Sequence, residues 1–525
     1  MIGKVNDDFF RKAILPNTGA ENPNIIIGPH MGIDAAVLKV GDEYLAIAED
    51  PIFPGPTMSP KDFAWITVHI GASDVAVMGI KPQYMTYSLL LPPGTPEDYI
   101  SELVKYISKY AQELGIKIAG GHTGFYGAVT VPTIGGITVW GMGSEVISPK
   151  GAQVGDSVII TKGAAIEAVA LIASELDDTL LAKGVSPELI DRAKKRMREV
   201  SVVADAEIAV NVGGVHAMHD ATEGGLARGL WEVAEASGVG LMIERSKVPL
   251  PKDIEAICSH FELNPYEIIS EGTLVLTCDP EKEESLIKAF IEKGIEAAVI
   301  GKVIPVSEGR YWINPSGQKE NLIPPSIDRF WEVFFNALEL KNEVNKDEEA
   351  FLCKELGQAV KELQSTNIVN LIPEIGANLA YALTDAKELK DIAAIPGRML
   401  RFKGQVATLG EPEMGCSSHM GGTILAVRKL FPTARCVINL RNNQKIREAC
   451  KELGFKVVNM PTPPDYRQED DDFYKDLNKV LSSCSQLPDV IEIPDRINLE
   501  RLILVLGESL EETVNKVKAL SEKIK

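Results

Sequence analysis

Four aspartates in the first half of this chain sit beside apolar runs, where a bare carboxylate is costly. Asp34 lies in GIDAAVL, Asp50 ends YLAIAED, Asp74 lies in VHIGASDVAVMG and Asp220 ends VHAMHD. A carboxylate so flanked is neutralised, paired or bound to a cation. Several such acids at strand ends and loops together suit Mg²⁺ held against a nucleotide phosphate. The glycines of GPHMGIDAAV let backbone N–H groups approach that phosphate. Each acid also reads alone as a cap or turn residue. Neither a GxxxxGK[ST] loop nor a GxGxxG turn is visible. In the second half, GEPEMGCSSHMGG carries His419, one of seven histidines, between serines and glycines. As an isolated residue it is either an acid–base group or a loop-ordering histidine.

The elements that must position these residues are legible. EYLAIAED reads as a strand. Ser59-Pro60-Lys61-Asp62 starts a helix with a cap, a first-turn proline and an acid. Thr95-Pro96-Glu97-Asp98 repeats the signature before an amphipathic helix, and IKIAGG is a strand followed by a glycine turn. GAQVGDSVIITKG opens a new segment near residue 151. The run from VGGVHAMHD to VGLMIE reads strand, glycine loop, helix, strand. A charged stretch rich in helix formers implies a helical connection over 339–365, with a domain boundary near 340. Beyond it, CVINLRNNQKIREACKELGFKVVNM is strand, helix, strand. LILVLGESLEETVNKVKALSEKI is a strand and a final helix, with Ser509 and Glu512 as a capping box. PTPPDYRQEDDD reads as a turn-rich loop with a solvated acid run.

With 525 residues the chain exceeds one ordinary core, and two or three domains are expected. Its 45% hydrophobic and 24% charged content is that of a globular protein. No apolar run reaches a membrane span, and the start has no signal-peptide core, so a cytoplasmic protein is expected. A net charge of −20 argues against nucleic acid as main partner. Seven cysteines without a CxxC pair read as free thiols.

Residues 28–335 resemble the superfamily of aminoimidazole ribonucleotide synthase, which includes the hydrogenase maturation protein E and thiamine-monophosphate kinase. GIDAAVL, AED, SDVAVMGIKPQYMTYSLLLP, GGHTG, GAQVGDSVIITKG and MHDATEGGLARGL carry the resemblance in family order. It implies two α/β and α+β subdomains, 1–150 and 151–338. It also implies ATP and Mg²⁺ as cofactors, γ-phosphate transfer or cleavage, and a homodimer through the first subdomain. Asp34, Asp50, Asp74 and His122 then fall on nucleotide and metal positions, and Asp220 and Glu223 on substrate or metal contacts. Ile33 and His122 replace acids usual in the kinase branch, and no reactive terminal cysteine follows.

Residues 366–525 resemble the archaeal-type thiamine-phosphate synthase domain, an α/β domain. The resemblance rests on NIVNLIPEIGANLAYAL, DIAAIPGRMLRFKGQV, GEPEMGCSSHMGGTILAV, INLRNN and LPDVIE. It implies condensation of hydroxymethylpyrimidine diphosphate with thiazole phosphate. Arg398 and His419 occupy catalytic positions, and Asn378, Ser417, Ser418 and Arg441 would contact substrate. Arginine's fork suits a departing diphosphate, and amides before a helix starting near Gly421 would add donors. Around 494–502 this chain lacks the glycine and lysine usual in the family. The implied partners are phosphorylated small molecules. Two other readings are a thiamine-phosphate-sensing regulator or regulated ATPase, and a hydrogenase-maturation-like ATP-dependent enzyme.

Overall fold

The computed structural model describes residues 3–462, 470–494 and 500–524. It divides into two compact units, 1–341 and 342–525. The first unit holds two sheets. One has six strands in the spatial order Ile25–Ile27, Ala36–Val40, Glu43–Ile52, Thr133–Gly143, Tyr84–Leu91, Lys117–Phe125. Alternation along Glu43–Ile52 buries Ala46 and Ala48 and turns Glu49 outward, as a pleat with one covered face requires. The helices Pro60–Ala76 and Glu97–Glu113 belong to its covered side, with Phe63, Val68, Leu103 and Ile107 fully buried in one core with strand residues Val37, Ile137 and Val139.

Ser59 caps the Pro60–Ala76 helix, its side chain accepting from the Asp62 N–H. The parallel expectation at Thr95 fails. Pro96 is the cap residue of the next helix without a side-chain bond, and the Thr95 hydroxyl donates back to the Pro92 carbonyl. IKIAGG also runs further than expected. The strand continues to Phe125, because Gly120 and Gly121 pair in register with Thr86 and Tyr87 across a bulge.

The second sheet of this unit has seven strands, ordered Lys319–Asn321, Arg310–Ile313, Gly240–Glu244, Ala297–Ile304, Ser157–Thr161, Thr273–Cys278, Val215–Ala221. Ser157–Thr161 and Thr273–Cys278 are buried at every position. Arg196 is tied down nearby, its guanidinium gripping the fully buried Asp253 at 2.5 and 3.0 Å.

The helix Arg329–Ser365 is longer than the expected 339–365 connection, and the division between units falls within it. The second unit has one seven-stranded sheet, ordered Glu413–Met414, Ile392–Ala394, Leu379–Ala382, Cys436–Arg441, Leu502–Gly507, Val490–Ile493, Val457–Asn459. Only the pairing of Val457–Asn459 with Val490–Ile493 is parallel, so the described sheet is mainly antiparallel. Ser509 does accept from the Glu512 N–H, but Glu512 returns to the Glu508 N–H, one residue short of a full capping box. The expected PTPPDYRQEDDD loop falls largely outside the described residues, with a helix starting at Asp470. Most of the 494–502 departure also lies outside them. All seven cysteines are free.

Candidate functional site

In the first unit the two sheets bring the separated acids together. Asp34 precedes the strand Ala36–Val40, Asp50 lies opposite Ile137 in the first sheet, and Asp74 sits in the last turn of the Pro60–Ala76 helix. Asp220 comes from the second sheet, opposite Leu274. The glycine pair after it lets the chain enter the Gly225–Ser237 helix. Gly225 has φ +62, and a Cβ there would lie 2.4 Å from the Ile268 carbonyl oxygen.

Asp220 is 1% exposed, and neither of its carboxyl oxygens has a hydrogen-bond partner among the described residues. Burial, then the charge of Asp34, pushes Asp220 up to about 7. Burial and the neighbouring Asp50, to which it is hydrogen-bonded, hold Asp74 well above the usual carboxylate range. Two acids that sequence reasoning missed extend the cluster. Glu271, 8% exposed, is held well above its ordinary value by burial and by Asp220 and Glu167. Glu167, 7% exposed with an unpartnered Oε2, is pushed up to about 8 by burial and by Glu223 and Asp328. Glu167 lies in the apolar run GAAIEAVALIA, the same signal that marks the aspartates, whereas Glu271, followed by a glycine, is marked only by tertiary contact.

Two cations offset part of this charge. His219, next to Asp220 in sequence, donates from Nδ1 to Asp34 at 2.7 Å and from Nε2 to Glu232 at 2.9 Å. An imidazole that donates from both nitrogens is protonated. Burial opposes its charge, yet Asp34 and Glu232 hold its pKa well above the ordinary value. Lys4 is exposed as a residue, but its ammonium reaches inward to the Thr222 hydroxyl at 2.8 Å. Burial disfavours that charge too, and Glu232, Glu223, Glu271 and Asp50 outweigh it. The Lys4 N–H also donates to Glu223 at 2.5 Å.

Ligand atoms of Asp34, His219 and Asp220 lie within 4.8 Å of one another. His219 is unsuited to hold a metal because both its nitrogens carry protons. Of that group, the carboxylate oxygens of Asp34 and Asp220 are of the kind a hard divalent cation such as Mg²⁺ takes, and Asp50 and Asp74 are coupled to the cluster through their charges. His122 is not brought into this cluster. It sits on the exposed strand Lys117–Phe125, 2.5 Å from the Tyr126 hydroxyl.

In the second unit Arg398 ends a turn that follows the strand Ile392–Ala394. Its φ is +68, uncommon outside glycine, and its Nη1 donates to the Ile375 carbonyl at 2.7 Å. Asn378 is 4% exposed, and its amide brackets Ile395, accepting from the N–H at 2.9 Å and donating to the carbonyl at 3.0 Å. Its side-chain amide is thus occupied in shaping the turn. Arg441 ends the Cys436–Arg441 strand opposite Leu502.

The helix carrying His419 begins at Ser418, earlier than the expected start near Gly421, so His419 lies in its first turn. Ser417 is the cap residue and makes no side-chain cap bond. The two glycines have a packing reason. A Cβ on Gly422 would lie 2.3 Å from the Tyr474 hydroxyl, so glycine admits Tyr474 and with it Phe473, whose ring centre is 5.1 Å from that of His419. Arg398 and His419 lie beyond opposite ends of Ile392–Ala394. Gly421 packs on Leu389 and Ile392 at its start, and Arg398 follows its end.

Family comparisons agree with this division. Residues 32–142 and 153–313 match the N-terminal and C-terminal domains of AIR synthase related proteins, and 355–519 match thiamine-phosphate synthase ThiN. The chain joins an AIR synthase related pair of domains to a ThiN domain. The ThiN match begins inside the long helix rather than after it. Carbamoyl dehydratase HypE of Cupriavidus necator is 29% identical over 278 residues, covering 51% of this chain and 75% of that protein. Thiamine-monophosphate kinase of Pyrococcus horikoshii is 27% identical over 237 residues, covering 43% and 70%. A crystal structure of HypE in complex with ATP is 22% identical, covers 61% of this chain and 93% of that one, and has a TM-score of 0.46.

Proposed function

We propose that this chain is a thiamine biosynthesis enzyme. Its ThiN domain condenses hydroxymethylpyrimidine diphosphate with thiazole phosphate, giving thiamine phosphate and diphosphate. The match of 355–519 to ThiN carries this reading. In the reaction the bond from the pyrimidine methylene carbon to the diphosphate oxygen breaks, and the thiazole nitrogen bonds that carbon. Negative charge gathers on the leaving diphosphate, and a fixed donor there lowers the barrier. Arg398 fills that role, its guanidinium exposed beside a rigid turn. His419, at the other end of the short strand, acts on another part of the bound pair. Asn378 is a positioning residue, and Ser417, Ser418 and Arg441 are substrate contacts.

The AIR synthase related domains bind ATP with Mg²⁺ and carry out phosphoryl chemistry on a phosphorylated small molecule, thiamine monophosphate being one acceptor. Asp34, Asp50, Asp74, Asp220 and Glu223 serve nucleotide, metal and substrate. When bound, Mg²⁺ neutralises phosphate charge. This chain's own part is to present unpartnered carboxyl oxygens and to hold Asp34 with His219. The relatives that are carbamoyl dehydratases support a second reading, ATP-dependent dehydration at the same cluster. A homodimer is part of the proposal. The outward strand Lys117–Phe125, with exposed Phe125, Tyr126 and Val131, offers an apolar surface for a second copy and places His122 on it. No described helix is long and apolar enough to cross a membrane, and a cytoplasmic location goes with the proposed substrates.

The test supplies pyrimidine diphosphate, thiazole phosphate and Mg²⁺ to the purified chain. Thiamine phosphate is expected from wild type, and far less from Arg398→Ala and His419→Ala. A folded, Mg²⁺-loaded wild type that makes none refutes the synthase. ATP-dependent conversion of added thiamine monophosphate decides between the two readings of the first unit.

A further inference from the structure

The turn that Arg398 touches already holds an anion. The N–H groups of Glu374 and Ile375 both donate to the same oxygen, Oε1 of Glu500, the latter at 3.2 Å. Adjacent amides converging on one oxygen form a nest suited to phosphate. Gly376 follows with φ +83, and a Cβ there would lie 2.8 Å from the Leu400 side chain, so the turn is built on glycine.

The nest is held from beneath by two buried amides. Asn439, 6% exposed, donates to the Gly376 carbonyl at 3.1 Å and accepts from the Asn378 N–H at 2.7 Å. Asn378 in turn brackets Ile395, whose carbonyl accepts from the Arg398 N–H at 3.2 Å. One polar lattice therefore fixes both the amide nest and the backbone that carries Arg398. The guanidinium bonds the carbonyl of Ile375, and Glu500 bonds the N–H of the same residue. The two groups thus bond the two polar atoms of one peptide residue, Ile375. Among the described residues Arg398 makes no ion pair, and Glu500 is not its partner.

We propose that the 374–376 turn and Arg398 form a phosphate subsite of the ThiN domain, with the Glu500 carboxylate as a built-in competitor that ligand phosphate displaces. The inference deepens the synthase reading and rests on it for the substrate's identity, a diphosphate or monophosphate ester. Two negative groups do not share one amide pair, so the carboxylate and the phosphate exclude each other. Removing the carboxylate while keeping the amides therefore tightens phosphate binding. This sign is unusual for a site substitution and separates a competitor from a structural tie.

The experiment is calorimetric titration of the full chain with inorganic diphosphate and, separately, inorganic phosphate. Glu500→Gln and Glu500→Ala are each compared with wild type, and thermal melts confirm folding. Both variants are expected to bind diphosphate about tenfold more tightly, with Arg398→Ala at least tenfold weaker than wild type. A larger gain for diphosphate than for phosphate assigns the site to the diphosphate substrate. Equal gains assign it to a monophosphate. Unchanged or weaker binding of both probes by folded Glu500 variants overturns the proposal. The readout needs no turnover. Tighter binding in a chain that makes no thiamine phosphate supports the subsite while refuting the synthase. Turnover with no effect of Glu500 refutes the subsite alone.

Discussion

The acidic cluster of the first unit and the Arg398 turn of the second solve opposite electrostatic problems. The first gathers Asp34, Asp50, Asp74, Glu167, Asp220 and Glu271 and leaves several oxygens without partners. Protons on the raised carboxyls, His219 and Lys4 offset this charge. The second presents backbone N–H groups and a guanidinium, and fills the nest with its own carboxylate. On the proposed reading a cation completes the first site, whereas an anion opens the second by displacing Glu500. Buried carboxylates raise their pKa values when unpaired, but a backbone amide has no such escape and must be bonded.

The hardest break is at the anion site. Arg398→Ala is expected to lower the thiamine phosphate formation rate by about 10²–10³, the range for losing one fixed donor to a developing charge. Initial rates in saturating substrates check it. On the acidic side, Asp220→Asn removes a buried charge instead of a needed donor. The metal-free variant is expected to melt higher than wild type and to lose the Mg²⁺-induced rise in Tm, read by parallel melts. If the variant melts lower and keeps that rise, the cluster is not a cation site.

Asn439→Ala probes the lattice under the nest. It leaves the Gly376 carbonyl and Asn378 N–H unpaired and is expected to destabilise the second unit by about 1–3 kcal/mol. Denaturant unfolding measures this. The pH dependence sharpens the comparison further. Asp220 titrates near 7 in the folded chain, above its ordinary value. The neutral form therefore favours folding at low pH, and that stability is lost as pH rises towards 7. Since a cation competes with this proton, Mg²⁺ affinity is expected to fall about tenfold from pH 8 to pH 6. Diphosphate takes up a proton of its own in this range, so Asp220→Asn is the control: it is expected to flatten the Mg²⁺ dependence and leave that of diphosphate unchanged. Titrations at the two pH values separate them.

A smaller effect concerns His69, buried against Trp65 and bonded to Ser201 at 2.9 Å. Burial and then the charges of Arg198 and Lys162 lower it to about 3. A depressed histidine contributes stability above its unfolded value near 6.5, and loses it as pH falls towards 3. Wild type is therefore expected to lose more Tm than His69→Gln between pH 7 and pH 4.5. Melts at fixed ionic strength test that slope.

Much of this is legible in local sequence patterns. Capped helix starts, alternating strands and the ordered motifs around Asp34, Asp50, Asp74 and Asp220 indicated two AIR synthase related domains. The runs around Arg398 and His419 indicated ThiN. Local signals carry such features because caps, periodicity and glycine turns depend on neighbours within a few residues. The failures of these signals were local competitions settled elsewhere, such as Thr95 bonding back to Pro92 and Gly120-Gly121 recruited into a strand by Thr86 and Tyr87. Long-range packing is what joins Glu167, His219 and Glu271 to the aspartates, leaves His122 apart from them, and sets Asn378 to serve the Ile395 turn. It alone set Glu500 in the nest, 125 positions from Ile375. Charges act through space at a few ångströms, and a one-dimensional spacing records that distance only when the residues are close in the chain.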